Sequence, residues 1–269
     1  MTYNPIEFPG LGIGPIDFNP TAFTVFGLGI QWYGIIIALG FALAAIYCSS
    51  KTSAIGIKSD DFTDALFFAV PLAIVGARLY YVVFNFSRFR NDPLNMFNIR
   101  EGGVAIYGAV IFALATAYIY ARIRKISPLD LLDLGVMGLL IGQCIGRWGN
   151  FANRELFGTR TSLPWRMEIY IPEFGERAAV HPAFLYESLW NAAGFLLLHF
   201  LLKKREYSGQ LLLVYLAWYG LGRGFIEGIR TDSLYLLNTG LRVSQVLAFA
   251  SCAAALGLLT YFRLRKRAP

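Results

Sequence analysis

Three arginines stand inside apolar stretches of this chain: Arg78, Arg147 and Arg223. A guanidinium at that depth costs roughly 2.5–3.5 kcal/mol on insertion scales, so it demands a counter-charge, water or a polar ligand. Arg147 opens the densest polar segment, Gly146-Arg147-Trp148-Gly149-Asn150-Phe151-Ala152-Asn153-Arg154-Glu155-Leu156-Phe157-Gly158, which follows an apolar run. Arg147 and Asn150 are three apart and share a face if the helix continues that far. Its plain alternative is a packed helix whose arginine snorkels to the interface. Arg223 belongs to a stripe in which Tyr219, Arg223 and Glu227 recur at every fourth position, beside Gly220, Gly224 and Gly228. Here too two readings stand. Arg223 and Glu227 can neutralise each other as a structural pair. Equally, Arg147 and Arg223 can flank an anion, and the guanidinium fork suits phosphate because it is bidentate and never loses its proton.

A second group of residues is less specific. Arg78, Tyr81 and Asn85 fall on one helical face by their spacing. Glu101, Gly102 and Gly103 lead to Tyr107, and such a glycine pair is either a plain start to a helix or a backbone shaped to approach a ligand. Trp32 reads as part of an aromatic belt, whereas the hydroxyl of Tyr33, one turn into the span, needs a partner. His181-Pro182 opens a further apolar run, with Glu187 about one turn inside it and Asn191 four residues on. Other chemistries are set aside. The two histidines, His181 and His199, lack the spacing of a helical zinc site, and no Gly-rich phosphate loop follows a strand. Cys48, Cys144 and Cys252 each lie within an apolar run and read as small core residues. No metal or cofactor is expected.

The elements that must hold these residues are membrane spans. The chain is 56% hydrophobic and 15% charged, where soluble domains carry about 25% charged residues. Seven apolar runs, at about 26–49, 62–86, 104–121, 129–148, 183–202, 210–228 and 243–262, can each cross a bilayer. All six lysines follow the first, third, fifth or seventh run, and the loops on that side hold 12 Lys+Arg in 32 residues against 9 in 91 opposite. Short basic loops stay in the cytoplasm. The expected fold is therefore an all-α polytopic membrane protein of seven transmembrane helices, N-terminus outside and C-terminus cytoplasmic. Residues 1–25 form an outer-surface arm, 26–269 the transmembrane domain, and 150–182 a small outer cap within it. The start, 1–20, lacks a basic region followed by an apolar one, so no cleavable signal peptide is expected. The net charge of +7 reads as cytoplasmic loops and anionic lipid rather than nucleic acid.

The segment 146–158 resembles the signature of the bacterial prolipoprotein diacylglyceryl transferases, G-R-x-G-N-F-x-N-x-E-x-x-G. WYG (32–34), GARLYY (76–81), EGG-x-x-x-Y-G (101–108), HP-x-x-LYE (181–187) and YG-x-x-R-x-x-x-E (219–227) follow that family's order along nearly the whole chain. In one departure, Tyr107-Gly108-Ala109 stands where many members read H-G-G. A histidine proposed there as general base is absent, and that role does not carry over. The resemblance implies transfer of the diacylglyceryl group of phosphatidylglycerol to the lipobox cysteine of a preprolipoprotein signal peptide, with glycerol phosphate leaving. It implies a monomer in the bacterial cytoplasmic membrane with its site toward the outer side. Arg147 and Arg223 would bind the headgroup, with Glu155 and Glu227 holding them in register. Tyr33, Asn150, Asn153 and Tyr219 would hydrogen-bond headgroup oxygens, and Tyr107 is the positional candidate for proton acceptor. Arg78, Gly102, Gly103, Gly158 and Arg230 complete the substrate-binding candidates. The alternative function is a transporter or binder of anionic lipid headgroups, which shares the arginines but predicts no thiol chemistry.

Overall fold

The computed structural model of the protein describes residues 4–90, 92–98, 102–172, 175–231, 235 and 239–267. The chain is mostly helical and divides into two compact units, residues 1–46 with 136–269, and residues 47–135. Seven helices of 18 residues or more are present among the described residues: α1 (Trp32–Ile55), α2 (Ser59–Phe84), α3 (Ile106–Arg124), α4 (Pro128–Asn153), α5 (Ala183–Leu202), α6 (Gln210–Glu227) and α7 (Val243–Arg267). Six of them are long and apolar enough to cross a membrane, and α6 is the exception. Its 18 residues carry Arg223, Glu227 and three glycines, so the polar stripe that marks it also lowers its apolarity. The boundary between the units falls within α1 and within α4.

The unit 47–135 is built on α2 against α3. Their backbones meet closely at Gly76 and Gly108: a Cβ on Gly108 would lie 2.2 Å from the Gly76 carbonyl oxygen, and one on Gly76 would enter the Phe112 ring. At the far end of the pair, Asp61 in the first turn of α2 binds Arg124 in the last turn of α3 at 2.6 Å. Each charge also suits the dipole of the helix end that carries it.

The other unit adds what the apolar runs did not reveal. Strands β1 (Ile6–Phe8), β2 (Ile13–Ile16), β5 (Met167–Ile171) and β6 (Glu176–Val180) form one antiparallel sheet in the order β2-β1-β5-β6. The N-terminal arm and the segment after the signature are thus one structure. Side chains of β5 alternate between buried and half-buried, as the period of a strand with one covered face requires. Ile6, Phe8, Met167, Ile169, Ile171, Val180 and Phe184 make its core, with Phe151 and Phe157 packed against it. Fully burying such a side chain contributes about 1.5–3 kcal/mol. Strands β3 (Thr21–Val25) and β4 (Leu28–Gln31) form a separate hairpin. Its Phe26-Gly27 turn has positive φ at both positions, the twist that two-residue hairpins favour. This pairing delays the first helix from the expected position 26 to Trp32.

Candidate active site

Three helix ends of the unit 1–46/136–269 supply the polar cluster: the last two turns of α4, the first turns of α5 and the last turns of α6. At its centre is Glu187, whose side chain is 6% exposed. Its Oε2 lies 2.5 Å from Arg147 Nη2, and its Oε1 lies 3.1 Å from Arg230 Nη1 and 3.4 Å from Arg223 Nη1. Glu227 is the second anion, 2.5 Å from Arg223 Nη2 and 4.0 Å from Arg230 Nε. The guanidinium of Arg242 donates to the backbone carbonyl of Glu227. Among the described residues, the guanidiniums of Arg147, Arg223 and Arg230 thus meet on the carboxylates of Glu187 and Glu227. The exposures separate the arginines. Arg147 and Arg223 side chains are 20% and 18% exposed, Arg230 only 6%. Arg147 and Arg223 can therefore reach a ligand, while Arg230 is an internal brace between the two carboxylates.

The signature folds around Asn150. Its Oδ1 accepts from Arg147 Nη1 at 3.2 Å and its Nδ2 donates to Glu155 Oε1 at 2.8 Å. Asn153, which is exposed, reaches the same carboxylate oxygen at 3.5 Å. Glu155 reaches Arg147 through Asn150, and the carboxylate that binds Arg147 directly is that of Glu187. Gly158 is packed rather than open. Its N–H donates to the His181 carbonyl at 2.9 Å, it forms a β-bridge with Arg230, and a Cβ there would lie 2.7 Å from His181 Cβ. Gly158 and Arg230 tie the signature to the end of α6.

Tyr33 lies beside the cluster's first helix, its ring where a Cβ on Gly149 would come within 2.8 Å. Tyr219 stacks on Tyr215 with ring centroids 5.5 Å apart. It also lines a cavity of about 10 Å³ with Glu187, Trp190, Asn191, Arg223 and Ile226. That volume admits about one water. Asn191 is 2% exposed and its Oδ1 has no hydrogen-bond partner among the described residues, nor has Gln143 Oε1. Below this cavity α5 and α6 are joined by a reciprocal pair. Trp190 Nε1 donates to the Trp218 carbonyl at 3.0 Å, Trp218 Nε1 to the Trp190 carbonyl at 2.9 Å, and the indoles stack at 4.4 Å.

The unit 47–135 holds the remaining candidates. Arg78 is 9% exposed and spends its donors on backbone carbonyls: Nε on Met96 at 2.8 Å, Nη1 on Gly102 and Gly103 at 2.9 and 2.7 Å, and Nη2 on Asn95 at 2.6 Å. Tyr81 and Phe89 rings cover the guanidinium. Arg78 is a clamp on the α2–α3 connection, with its fork already occupied. Gly102 and Gly103 present their carbonyls to it at φ of 83° and 76°, so their positive φ serves this clamp. Glu101 lies outside the described residues. Tyr107, in the first turn of α3, is 55% exposed with its ring 6.2 Å from that of Tyr80.

Sequence reading passed over Glu187 as a site residue. An acid in the first turns of a helix reads as a complement to the helix dipole. The signal available was its position inside an apolar run, the same one that singled out Arg147 and Arg223.

Comparison with known proteins agrees with the motif order. The family model described as Prolipoprotein diacylglyceryl transferase matches residues 20–261. A relative from Listeria welshimeri serovar 6b is 40% identical over 266 residues, covering 97% of this chain and 95% of its own. One from Clostridioides difficile is 39% identical over 246 residues, 91% of this chain and 95% of its own. A third, from Bacillus velezensis, is 40% identical over 253 residues, 92% and 93% of the two chains. All three are named phosphatidylglycerol–prolipoprotein diacylglyceryl transferase. With a matched region that runs through the signature, the arginine cluster and most of the last helix, the chain belongs to the prolipoprotein diacylglyceryl transferase family.

Proposed function

We propose that this protein transfers the diacylglyceryl group of phosphatidylglycerol to the lipobox cysteine thiol of a preprolipoprotein. The observation that carries the reading is the arginine cluster around Glu187, in which the guanidiniums of Arg147 and Arg223 are open to a ligand. In the reaction the cysteine sulfur forms a bond to the glyceryl C3, and the bond from that carbon to the phosphate oxygen breaks. The thiol proton leaves to an acceptor, and the electron pair leaves with glycerol phosphate. A phosphodiester carries one negative charge and the departing monoester develops a second. Arg147 and Arg223 therefore bind the transition state more tightly than the ground state, which is where a rate is gained. Because Glu187, Glu227 and Asn150 already fix these side chains, little reorganisation is needed as the charge grows. Tyr33, Tyr219, Asn150 and Asn153 supply hydrogen bonds around the headgroup. Tyr107 is the positional candidate for taking the thiol proton.

In this reading the protein is a monomer in the bacterial cytoplasmic membrane, with α6 also spanning, the N-terminus outside and the cluster toward the outer side. The uneven distribution of lysine and arginine over the loops supports that orientation. The test is direct. Purified protein is incubated with phosphatidylglycerol and a lipobox peptide, and the peptide is examined by mass spectrometry. A thioether adduct with matching release of glycerol phosphate is the expected result. Tight lipid binding with an unmodified peptide would make the protein a lipid binder or transporter instead.

A further inference from the structure

Arg154 lies within the signature, between Asn153 and Glu155, yet its side chain is spent on the N-terminal arm. Its Nε donates to the Asn4 carbonyl at 2.9 Å and its Nη2 to the Phe18 carbonyl at 3.0 Å. Nη2 also lies 3.8 Å from Asp17 Oδ1, and the guanidinium covers the Phe18 ring at 4.9 Å. Nη1 turns back to the Ala152 carbonyl at 3.4 Å. The backbone here needs holding. Arg154 and Leu156 both have φ of 57°, a left-handed conformation that a residue with a Cβ adopts at a cost. Between them the Glu155 N–H closes onto the Asn150 carbonyl at 3.0 Å, which aims the Glu155 carboxylate at Asn150 Nδ2. Asn150 in turn holds Arg147. Phe18 and Phe8 rings pack on Phe151, so the arm also covers the helix end from which this turn departs.

We propose that Arg154 is a positioning residue: by gripping the arm at Asn4, Asp17 and Phe18 it sets the turn that fixes Glu155, Asn150 and, through them, the guanidinium of Arg147. The arm is then a strap for the site, and the site is incomplete without it. This rests on the role given to Arg147 under the proposed function. A bland structural role would lower stability alone, so the test separates position from stability.

Arg154→Gly is the informative variant, because glycine accepts the left-handed backbone freely and only the grip is lost. Transfer is measured well below the melting temperature. The expected result is a kcat lower by roughly tenfold to a hundredfold, in line with small displacements of a catalytic group, with KM for phosphatidylglycerol nearly unchanged. Arg154→Lys, which keeps one donor group and the charge, should recover part of the loss. Phe18→Leu leaves the turn untouched and should lower kcat in the same sense. Combined with Arg154→Gly its effect should be less than additive, since the two act through one contact. A lowered melting temperature with full kcat, or strict additivity in kcat, overturns the proposal. Arg147→Ala serves as the reference. If it retains activity, the reading of the site fails. If it is inactive while Arg154→Gly is fully active, only the strap fails.

Discussion

At the scale of residues, the cluster depends on guanidinium geometry, not on positive charge alone. Arg147→Lys is therefore expected to lose nearly as much activity as Arg147→Ala, about 10²–10³ in rate, because an ammonium cannot bridge Glu187, Asn150 and a phosphate together. Steady-state kinetics on variants shown to fold would check this, and a lysine variant with most of its activity would reduce Arg147 to a point charge. Glu187→Gln should be worse for the fold than any single arginine change. It takes the shared carboxylate away from Arg147, Arg223 and Arg230, and breaking a buried pair costs about 3–5 kcal/mol. Denaturation in detergent measures that loss. Glu155→Gln should be mild by comparison, since an amide oxygen still accepts from Asn150. Tyr107→Phe is expected to weaken transfer without abolishing it, because losing the hydroxyl costs on the order of one hydrogen bond, about 1 kcal/mol. An inactive but folded and lipid-binding variant would make Tyr107 essential. Arg147, Arg223 and Glu227 were legible in the sequence because charge inside an apolar run is conspicuous. The acid that joins the arginines, Glu187, was passed over. Periodicity reports neighbours on one helix, as for Arg223 and Glu227, whereas Glu187 meets its arginines across three helices.

At the scale of elements, apolar length finds helices well and finds their polar connections poorly. All seven runs correspond to helices, yet the first begins later than expected because β3 and β4 claim residues 21–31. The four-stranded sheet escaped because its strands are short and its two hairpins, β1–β2 and β5–β6, lie far apart in the chain and meet only through the β1–β5 pairing. Arg78 shows the same limit. Its spacing with Tyr81 and Asn85 suggested a ligand face, but its four acceptors come from a connection that no periodic pattern describes. Arg78→Lys should accordingly destabilise the protein by a few kcal/mol, since each net hydrogen bond contributes about 0.5–1.5 kcal/mol and one ammonium cannot span these carbonyls. Thermal unfolding would register it, and hydrogen exchange should rise in 95–98 and 102–105 before it rises within α2. A variant as stable and as protected as the parent would show that the clamp is dispensable.

At the scale of the whole molecule, the elements outside the spans give stability a pH dependence. His181, before α5, has its pKa lowered by burial, so its ring takes up a proton less readily in the folded chain than in the unfolded one. The unfolded chain takes up a proton near pH 6.5, the folded chain only below that. Stability contributed by the neutral ring is thus present above about pH 7 and declines as pH falls through 6.5. Melting temperatures measured between pH 8 and 5.5 should fall, and His181→Gln should flatten the curve. An unchanged slope in that variant would assign the effect to other groups. The Trp190–Trp218 pair has a consequence for motion. Each indole is bonded to the other residue's own carbonyl, so sliding α5 along α6 by even one turn would break both bonds and the stack at once. Sliding of packed helices is one way in which proteins close around a ligand. Here the two helices travel as one body, carrying Glu187 and Arg223 in fixed register. Whatever path a lipid takes to the arginines, the doorway must be opened by other elements.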